Sequence, residues 1–422
     1  MLVRCLGMSV LLAGVLALTW TASGQAPVRI TLEEAVQLAI VHNHALKAAR
    51  TTIPQSRALE ITANLRPNPV LLGDAQFIPI FSPNQLNADT INQTSQFDLG
   101  ISYLIERGGK RQHRLRAARD QTAVTLSLVT DAERGLTFSV ASQFVNALLA
   151  DANLQLALED LKSFQSTVDI GAERYRAGDI SEGDYLKIKL QLLQFQTDVS
   201  AAKLAKVQAL ASLRQLLGYD AVPADYDVAG DLAYQPLTFK EEELEAMALR
   251  QRPDLRAAQQ GVTAAKSQYS LAQANGKRDL GLTFDYSHVG GISGATGFFN
   301  IEIPIFNRNQ GEIARTRYAI DQSQETATAA SEIVMTDVKN AYEGVQTNDQ
   351  VVRLYQSGYL DQAKESRDIS EYAYKRGAAS LLDFLDAERS YRATQLAYRQ
   401  SLASYMLALE QLREAVGMRN LP

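Results

Sequence analysis

Few side chains of this 422-residue chain have types and spacings that could support chemistry. Its four histidines are scattered, and only His42 and His44 are close; their spacing places them on different faces of a helix. The single cysteine, Cys5, lies in an apolar leader, so the processed chain would have no thiol nucleophile, disulfide or thiolate metal site. Phosphate loops and nucleophile motifs do not occur. The sequence therefore predicts no enzyme, no cofactor and no resident metal.

The remaining candidate residues lie in two equivalent turns. In each turn a glycine is followed by a serine and, three positions later, by an aspartate: Gly178, Ser181 and Asp184, then Gly377, Ser380 and Asp383. A glycine can end one helix, and a serine with an acidic residue can cap the next. Each turn therefore indicates the tip of a helical hairpin.

The two turns belong to a repeat that runs through the whole chain. Its second part keeps an offset of 199 residues (374 − 175), from Tyr175 and Tyr374 to Gly218 and Gly417. Its first part keeps an offset of 209 (243 − 34), because the loop at 81–93 of the first half has only a short counterpart at 290–295. The pattern predicts a first repeat at 27–222, a linker at 223–236 and a second repeat at 237–422, a duplicated architectural unit.

Residues 1–26 have the layout of a secretory signal peptide. Arg4 precedes an apolar run, and the small residues Ala22, Ser23 and Gly24 follow it. The run is shorter than the roughly 20 apolar residues that a membrane-spanning helix needs, so an uncleaved anchor is the less favoured alternative. The net charge of −5 shows no block of like charge, which gives no indication of a nucleic acid partner.

Each half is expected to contain a helix, a β-hairpin and a long helical hairpin. The first helix covers 31–64, with Thr31 and Glu34 forming a capping box. Polar and apolar residues alternate at 97–105, 280–288 and 299–305, which is typical of strands with one polar face. Residues 112–175 contain no proline and keep helix-pairing spacing, so they predict a helix on the order of 90 Å long.

Two interpretations of the strands are open. The strands could form a small satellite sheet in a soluble protein. They could instead form the wall of a membrane β-barrel, because such walls consist of strands of about ten residues with one apolar face. Four strands are too few for a barrel, since the smallest single-chain barrels have about 8. Closure would therefore need oligomerisation, and a trimer would give roughly 12 strands.

From 31 to 418 the chain resembles the TolC-like outer membrane efflux channels. The most specific match is the second tip, where Gly377, Ser380, Leu381, Leu382, Asp383, Phe384, Leu385, Asp386 and Ala387 resemble the family's motif. The resemblance implies a mainly α fold with a β-barrel part. It would be a homotrimer whose 12-stranded barrel contacts outer membrane lipids and continues into a long periplasmic α-helical barrel.

A basic turn narrows the resemblance. Gly108, Gly109, Lys110 and Arg111 follow the second predicted strand and resemble an element common in the cobalt-zinc-cadmium efflux subgroup. The alternative is a plain basic turn between strand and helix, because lysine and arginine are poor metal ligands. The turn therefore serves as a subgroup marker, not as a metal site.

The resemblance also assigns roles at the tips. Asp383 and Asp386 would form carboxylate rings at the channel constriction, although Asp383 could equally be a helix cap. Asp184 and Tyr374 would form a gate latch between helices. The family's second latch is absent, because Ala379 and Gly183 replace its partners. Two alternatives follow: a weaker closed state, or a gate held by other residues such as Arg376.

The expected partners follow from the same resemblance. The tip residues Gly178, Ser181, Gly377 and Ser380 would contact a periplasmic adaptor, and the energy would come from an inner-membrane pump of the resistance-nodulation-division type. The expected function is an exit duct for heavy-metal cations. The alternatives are a duct for drugs or for type I secretion, or a secreted coiled-coil structural protein.

Overall fold

The structure is a computed structural model that describes residues 28–236 and 239–421. The predicted signal peptide, residues 1–26, lies outside the described residues. Within these ranges no helix combines the length and the hydropathy required to cross a membrane.

Three helices open the chain where a single helix was predicted. They are α1 (Leu32–His42), α2 (His44–Arg50) and α3 (Thr52–Asn64), preceded by the short strand β1 (Arg29–Ile30). The capping box of Thr31 and Glu34 is confirmed. Asn43 ends α1 and caps α2 by accepting a hydrogen bond from the Leu46 backbone N–H at 2.9 Å. A side chain that bonds to the backbone in this way favours a new helix start over continuation.

Four antiparallel strands form one sheet in the order β2, β3, β5, β6. They are β2 (Val70–Gln76), β3 (Gln96–Ile105), β5 (Leu280–Val289) and β6 (Ile292–Ile301). The central pair, β3 and β5, joins the two halves of the chain. The first pair is connected by a long segment that contains a 3₁₀ turn (Pro83–Gln85) and α4 (Ala88–Thr94).

The last strand was predicted wrongly at 299–305. It begins at Ile292, directly after a two-residue turn in which Gly290 and Gly291 have φ of +58° and +78°. This turn lies inside the stretch 290–295 that was assigned to a link. Two residues with positive φ suit the right-handed twist of the flanking strands, so the hairpin closes at the glycines. Pro304, which cannot donate to a strand ladder, lies beyond the strand end.

Long helices make up the rest of each half. The first helical hairpin consists of α5 (Lys110–Ala177) and α6 (Glu182–Leu217). After β4 (Asp227–Val228), which pairs in parallel with β1, come α7 (Glu241–Gln251) and α8 (Pro253–Asn275). The second helical hairpin consists of α9 (Gln310–Leu354), a π-helical segment (Tyr355–Tyr359), α10 (Leu360–Lys375) and α11 (Leu381–Val416). The break within this second long helix was not predicted.

The buried side chains form three clusters that follow the repeat. One cluster lies where α1, α5 and α6 meet and includes Phe144, Leu213 and Leu217. Its counterpart in the second half includes Tyr405 and Leu412. The third cluster lies near the tips, where the first hairpin meets the second. The tips are therefore packed against each other and are not independent loops.

Candidate functional site

The first tip is built by the turn chemistry that the sequence predicts. α5 ends at Gly178, which has a φ of +83°, a conformation that glycine adopts without strain. Ser181 caps α6: the Asp184 N–H donates to the Ser181 hydroxyl at 3.1 Å, and that hydroxyl donates to the Asp184 carboxylate at 2.9 Å. The hydrogen bond from Ser181 lowers the pKa of Asp184, so this carboxylate is ionised at neutral pH.

The second tip repeats this geometry and gives Asp383 a structural task. Gly377 has a φ of +75°, and Ser380 caps α11. The Asp383 carboxylate accepts from the Ser380 N–H at 3.2 Å and from its hydroxyl at 2.7 Å, which completes a capping box. The contacts of Asp383 are therefore those of a helix-capping residue, the alternative role considered for it. Its role at a constriction stays a prediction.

Asp386 has a freer environment than Asp383. Its side chain is 71% exposed, and its ion partner Arg389 lies 3.6 Å away with 78% of its side chain exposed. Exposed pairs of this kind contribute between zero and about 1 kcal/mol, so the carboxylate can turn toward another charge at little cost. Of the two aspartates, Asp386 is therefore the one whose carboxylate is not engaged in capping a helix.

The two predicted latch residues do not hydrogen-bond to each other within the chain. Tyr374 is buried with its ring stacked on Phe384, at 5.5 Å between centroids, and its hydroxyl has no hydrogen-bond partner among the described residues. Asp184 is engaged by Ser181 and by Lys187 at 3.2 Å. Burial raises the pKa of Tyr374; the charge of Arg174 opposes this rise, and the charge of Asp184 adds to it. The latch between them stays a prediction.

Arg174, not Arg376, connects the first tip to the second. The Arg174 guanidinium lies 5.2 Å from the centre of the Tyr374 ring and donates to the Tyr374 carbonyl oxygen at 3.0 Å. Arg376 instead lies over the ring of Tyr372, four residues earlier in its own hairpin. The suggested holding role of Arg376 therefore has no support in these contacts.

A half-buried arginine further along α11 makes polar contacts to both helices of the first hairpin. Arg392 Nε donates to Asp160 of α5 at 3.0 Å, and its Nη2 donates to Asp198 of α6 at 2.5 Å. Its guanidinium also lies 4.2 Å from the centre of the Phe195 ring. Sequence reasoning missed this residue. The repeat contains a usable signal. The equivalent position in the first half (392 − 199) is Leu193, so the two halves differ there by a charged side chain.

Glu388 adds a second buried carboxylate one turn nearer the tip. It is 7% exposed, and burial raises its pKa, opposed first by the charge of Arg367. Burial likewise raises the pKa of Asp160 despite Arg392. Within the described ranges no ion pair within 4 Å involves Glu388, whereas Asp160 has one. Glu388 is therefore a buried carboxylate whose nearest opposing charges, among the described residues, lie beyond ion-pair distance.

The basic turn has a structural explanation. Gly108 and Gly109 have φ of +74° and +71°, and a Cβ on Gly108 would lie 2.6 Å from the Lys277 side chain. Lys110 Nζ lies 2.7 Å from an Asp279 oxygen, and the Arg107 N–H donates to the other oxygen at 2.9 Å. These contacts fasten the start of α5 to the start of β5. Clusters of three or more residues that could hold a metal are absent from the described part of the chain.

Comparison with known proteins identifies a family and relatives that match most of the chain. The family model described as outer membrane efflux protein matches residues 35–219 and 244–418. The cobalt-zinc-cadmium resistance protein CzcC of Cupriavidus metallidurans is 24% identical over 92% of this chain and 90% of its own length. The cation efflux system protein CusC of Escherichia coli K12 is 26% identical over 85% and 80%.

A solved structure supports the same conclusion for the fold. A crystal structure of CusC superimposes with a TM-score of 0.75 over 94% of both chains, at 21% identity. The TolC-like fold predicted from the sequence is thereby confirmed, with both helical hairpins and the four strands. The chain therefore belongs to the outer membrane efflux protein family, as a channel of the outer membrane with a large periplasmic part.

Proposed function

We propose that three copies of this chain form an exit duct that carries heavy-metal cations from an inner-membrane pump and a periplasmic adaptor to the outside. The observation that carries the cargo assignment is the match to CzcC over about nine-tenths of both chains, together with the match to CusC. Both relatives are named for the export of, or resistance to, cations. The two repeats at 27–222 and 237–422, with their linker at 223–236, are the units of this assembly.

The unpaired edges of the sheet support a trimer. β2 and β6 are the edge strands, and no strand of the described part of the chain pairs with their outer sides. Exposed edges of this length invite pairing with another chain, and three copies would supply roughly 12 strands, enough to close a barrel. Every residue of β6 is exposed in the single chain, including Phe298 and Phe299. Neighbouring copies and lipid would cover this surface.

Exposed apolar stripes on the helices support the same assembly. On α6 the exposed residues follow coiled-coil spacing, at Leu186, Leu190, Leu193, Leu204 and Val207. A second stripe follows the other outer edge, at Val351, Leu354, Ile369 and Tyr372. Apolar residues that repeat in this way and lack a partner helix are typical of an interface between subunits. We infer that α6 of one copy packs against α9 and α10 of the next.

The tips carry the roles that this assembly needs. Asp383 and Asp386 form two carboxylate rings at the constriction, where negative charge attracts cations. Asp184 and Tyr374 contribute to the gate. Gly178, Ser181, Gly377 and Ser380 are exposed and available to the adaptor. The duct performs no chemistry, and an inner-membrane pump of the resistance-nodulation-division type supplies the energy.

A growth-inhibition panel tests the cargo. A deletion strain and a strain complemented with this chain are compared on zinc, cobalt, cadmium, copper and silver, and on dyes and antibiotics. The expected result is selective rescue on metals. Rescue only on organic compounds would reject the metal assignment and favour a drug duct, and export of a protein substrate would favour type I secretion.

A further inference from the structure

Basic residues are concentrated at one end of the four-stranded sheet. Residues 70–105 and 280–301, which include the four strands and their outer turns, contain no lysine or arginine. The four stretches in which strands and helices join are 65–69, 106–111, 276–279 and 302–309. They contain seven basic residues against three acidic ones, and we call them the collar. They lie side by side, because β2 and β5 begin at the end of the sheet where β3 and β6 finish.

Most of the positive charge of the collar is not neutralised within the chain. Its three acidic residues are each bound to a basic one, in the pairs Asp279–Lys110, Glu302–Arg278 and Glu106–Arg114. Within the described ranges the other five basic side chains of the collar make no ion pair: Arg66, Arg107, Arg111, Lys277 and Arg308. All of these are exposed except Arg111, which is half-buried. The collar is therefore strongly cationic in a chain whose net charge is −5.

Two of these unpaired arginines share a cavity with the apolar end of a strand. The cavity has a volume of about 220 Å³, and its lining includes Arg66, Tyr103, Ile105, Glu106, Lys110 and Arg111. Tyr103 and Ile105 continue the apolar face of β3. Because Glu106 and Lys110 have ion partners of their own, the charge left for a ligand is that of Arg66 and Arg111. Such a cavity fits a molecule with an anionic head and an apolar body.

Exposed apolar side chains also border the collar at the end of β6. Ile303 and Ile305 are exposed, and Phe306 is 88% exposed, two residues before Arg308. In a membrane protein, apolar and aromatic side chains that end at a row of cations mark the boundary between hydrocarbon and headgroups. The chain is a channel of the outer membrane, and its long helices extend from this end of the sheet. The collar therefore lies at the periplasmic face of the membrane.

We propose that the collar binds the headgroups of anionic glycerophospholipids, and that Arg66 and Arg111 hold one lipid phosphate in each copy of the chain. A guanidinium group matches phosphate oxygens bidentately, and basic side chains beside a bilayer attract anionic lipids. The acyl chains would extend along the apolar face that includes Tyr103 and Ile105. The bound lipid fixes the depth of the channel in the membrane. This role goes beyond the proposed duct and does not depend on its cargo.

The test measures lipid binding to the purified full chain in detergent by native mass spectrometry. The two lipids are phosphatidylglycerol and phosphatidylcholine with the same acyl chains, and inorganic phosphate is added as a competitor. The double variant Arg66→Gln, Arg111→Gln removes both unpaired charges of the cavity, whereas Arg66→Lys, Arg111→Lys keeps them. The control is Arg29→Gln, Arg250→Gln, which removes the same charge from exposed positions on β1 and α7. Gel filtration measures the assembly of every variant.

We expect wild type and the control to prefer phosphatidylglycerol. The glutamine variant should bind this lipid about tenfold more weakly, with phosphatidylcholine unchanged, and the lysine variant should keep most of the binding. Unchanged binding by the glutamine variant would overturn the proposal, as would displacement of the lipid by an equal concentration of phosphate. Loss of assembly without loss of lipid would assign the arginines to a contact between copies. Wild-type protein that conducts but shows no lipid preference would overturn the collar and leave the duct intact.

Discussion

The two helical hairpins have the same turn chemistry at their tips but differ along their long helices, which we call the shafts. Both tips use a glycine with positive φ followed by a serine cap and an aspartate. The shafts diverge at two points: Gly358 of the broken second path corresponds to Glu159 of the unbroken α5, and Arg392 corresponds to Leu193. The duplication therefore kept the turn chemistry and changed the residues that govern bending and attachment. The interrupted helical path and the arginine that contacts the other hairpin both belong to the second hairpin.

The largest expected effect comes from making the second hairpin resemble the first at position 392. Arg392→Leu leaves Asp160 buried without its cation, and we expect a loss of about 3 kcal/mol of stability. Combining it with Asp160→Leu should recover most of that loss, because apolar residues replace a buried pair well. Thermal dissociation of the purified assembly measures both. Equal stability of Arg392→Leu and wild type would show that the two shafts are held alike.

Gly358→Ala tests whether the break is a required backbone feature. A φ of +120° is unfavourable for alanine, so we expect a cost on the order of 1–3 kcal/mol. The matched control is Gly344→Ala in α9, where an added Cβ meets nothing within 4 Å; there the helix should gain about 0.5–1 kcal/mol. Circular dichroism melting compares the two. A stabilised Gly358→Ala variant would mean that α9 and α10 can join into one uninterrupted helix like α5.

Glu388→Gln tests the free-energy cost of burying the charged carboxylate of Glu388. Burial raises the pKa of Glu388, so its charged form is penalised in the folded state above that pKa, and the penalty disappears as pH falls below the ordinary value of 4.5. Arg367 and Glu371 of α10, Asp160 of α5 and Arg392 of α11 are the charges that act on it. We expect a gain on the order of 1 kcal/mol at neutral pH that fades on acidification.

Melting curves at several pH values measure this gain. Glu365→Gln is the control, because Glu365 is exposed on α10 and should change nothing. A gain that is independent of pH would contradict the electrostatic explanation.

The smallest effect is expected at Tyr374. Its hydroxyl is buried and has no hydrogen-bond partner in residues 28–236 and 239–421, so Tyr374→Phe should change stability by less than about 0.5 kcal/mol. Tyr398→Phe is the comparison, since the Tyr398 hydroxyl accepts from Gln356. A loss above about 1 kcal/mol for Tyr374→Phe, with a leakier channel, would indicate that the latch with Asp184 forms in the assembly.

Local chemistry explains what the sequence could predict. The capping of α1 by Thr31 and the ends of helices at Gly178 and Gly377 depend on neighbouring residues, so the pattern was sufficient for them. The start of β6 was misplaced because a two-glycine turn outweighed the apolar alternation further along. The contacts of Arg392 join residues up to 232 positions apart, which no local pattern encodes, and a single glycine within a helical pattern was not enough to predict the break at Gly358. Only the divergence between the repeats pointed to them.

We propose that this chain forms a cation-conducting duct with its constriction at the second tip. The most direct measurement is the current and ion selectivity of the purified protein in planar bilayers, for wild type and for Asp386→Asn, whose side chain is too exposed to affect folding. We expect cation-selective currents for wild type and a clear loss of cation preference for the variant. Wild-type protein that carries no current, or a selectivity unchanged by Asp386→Asn, would contradict it.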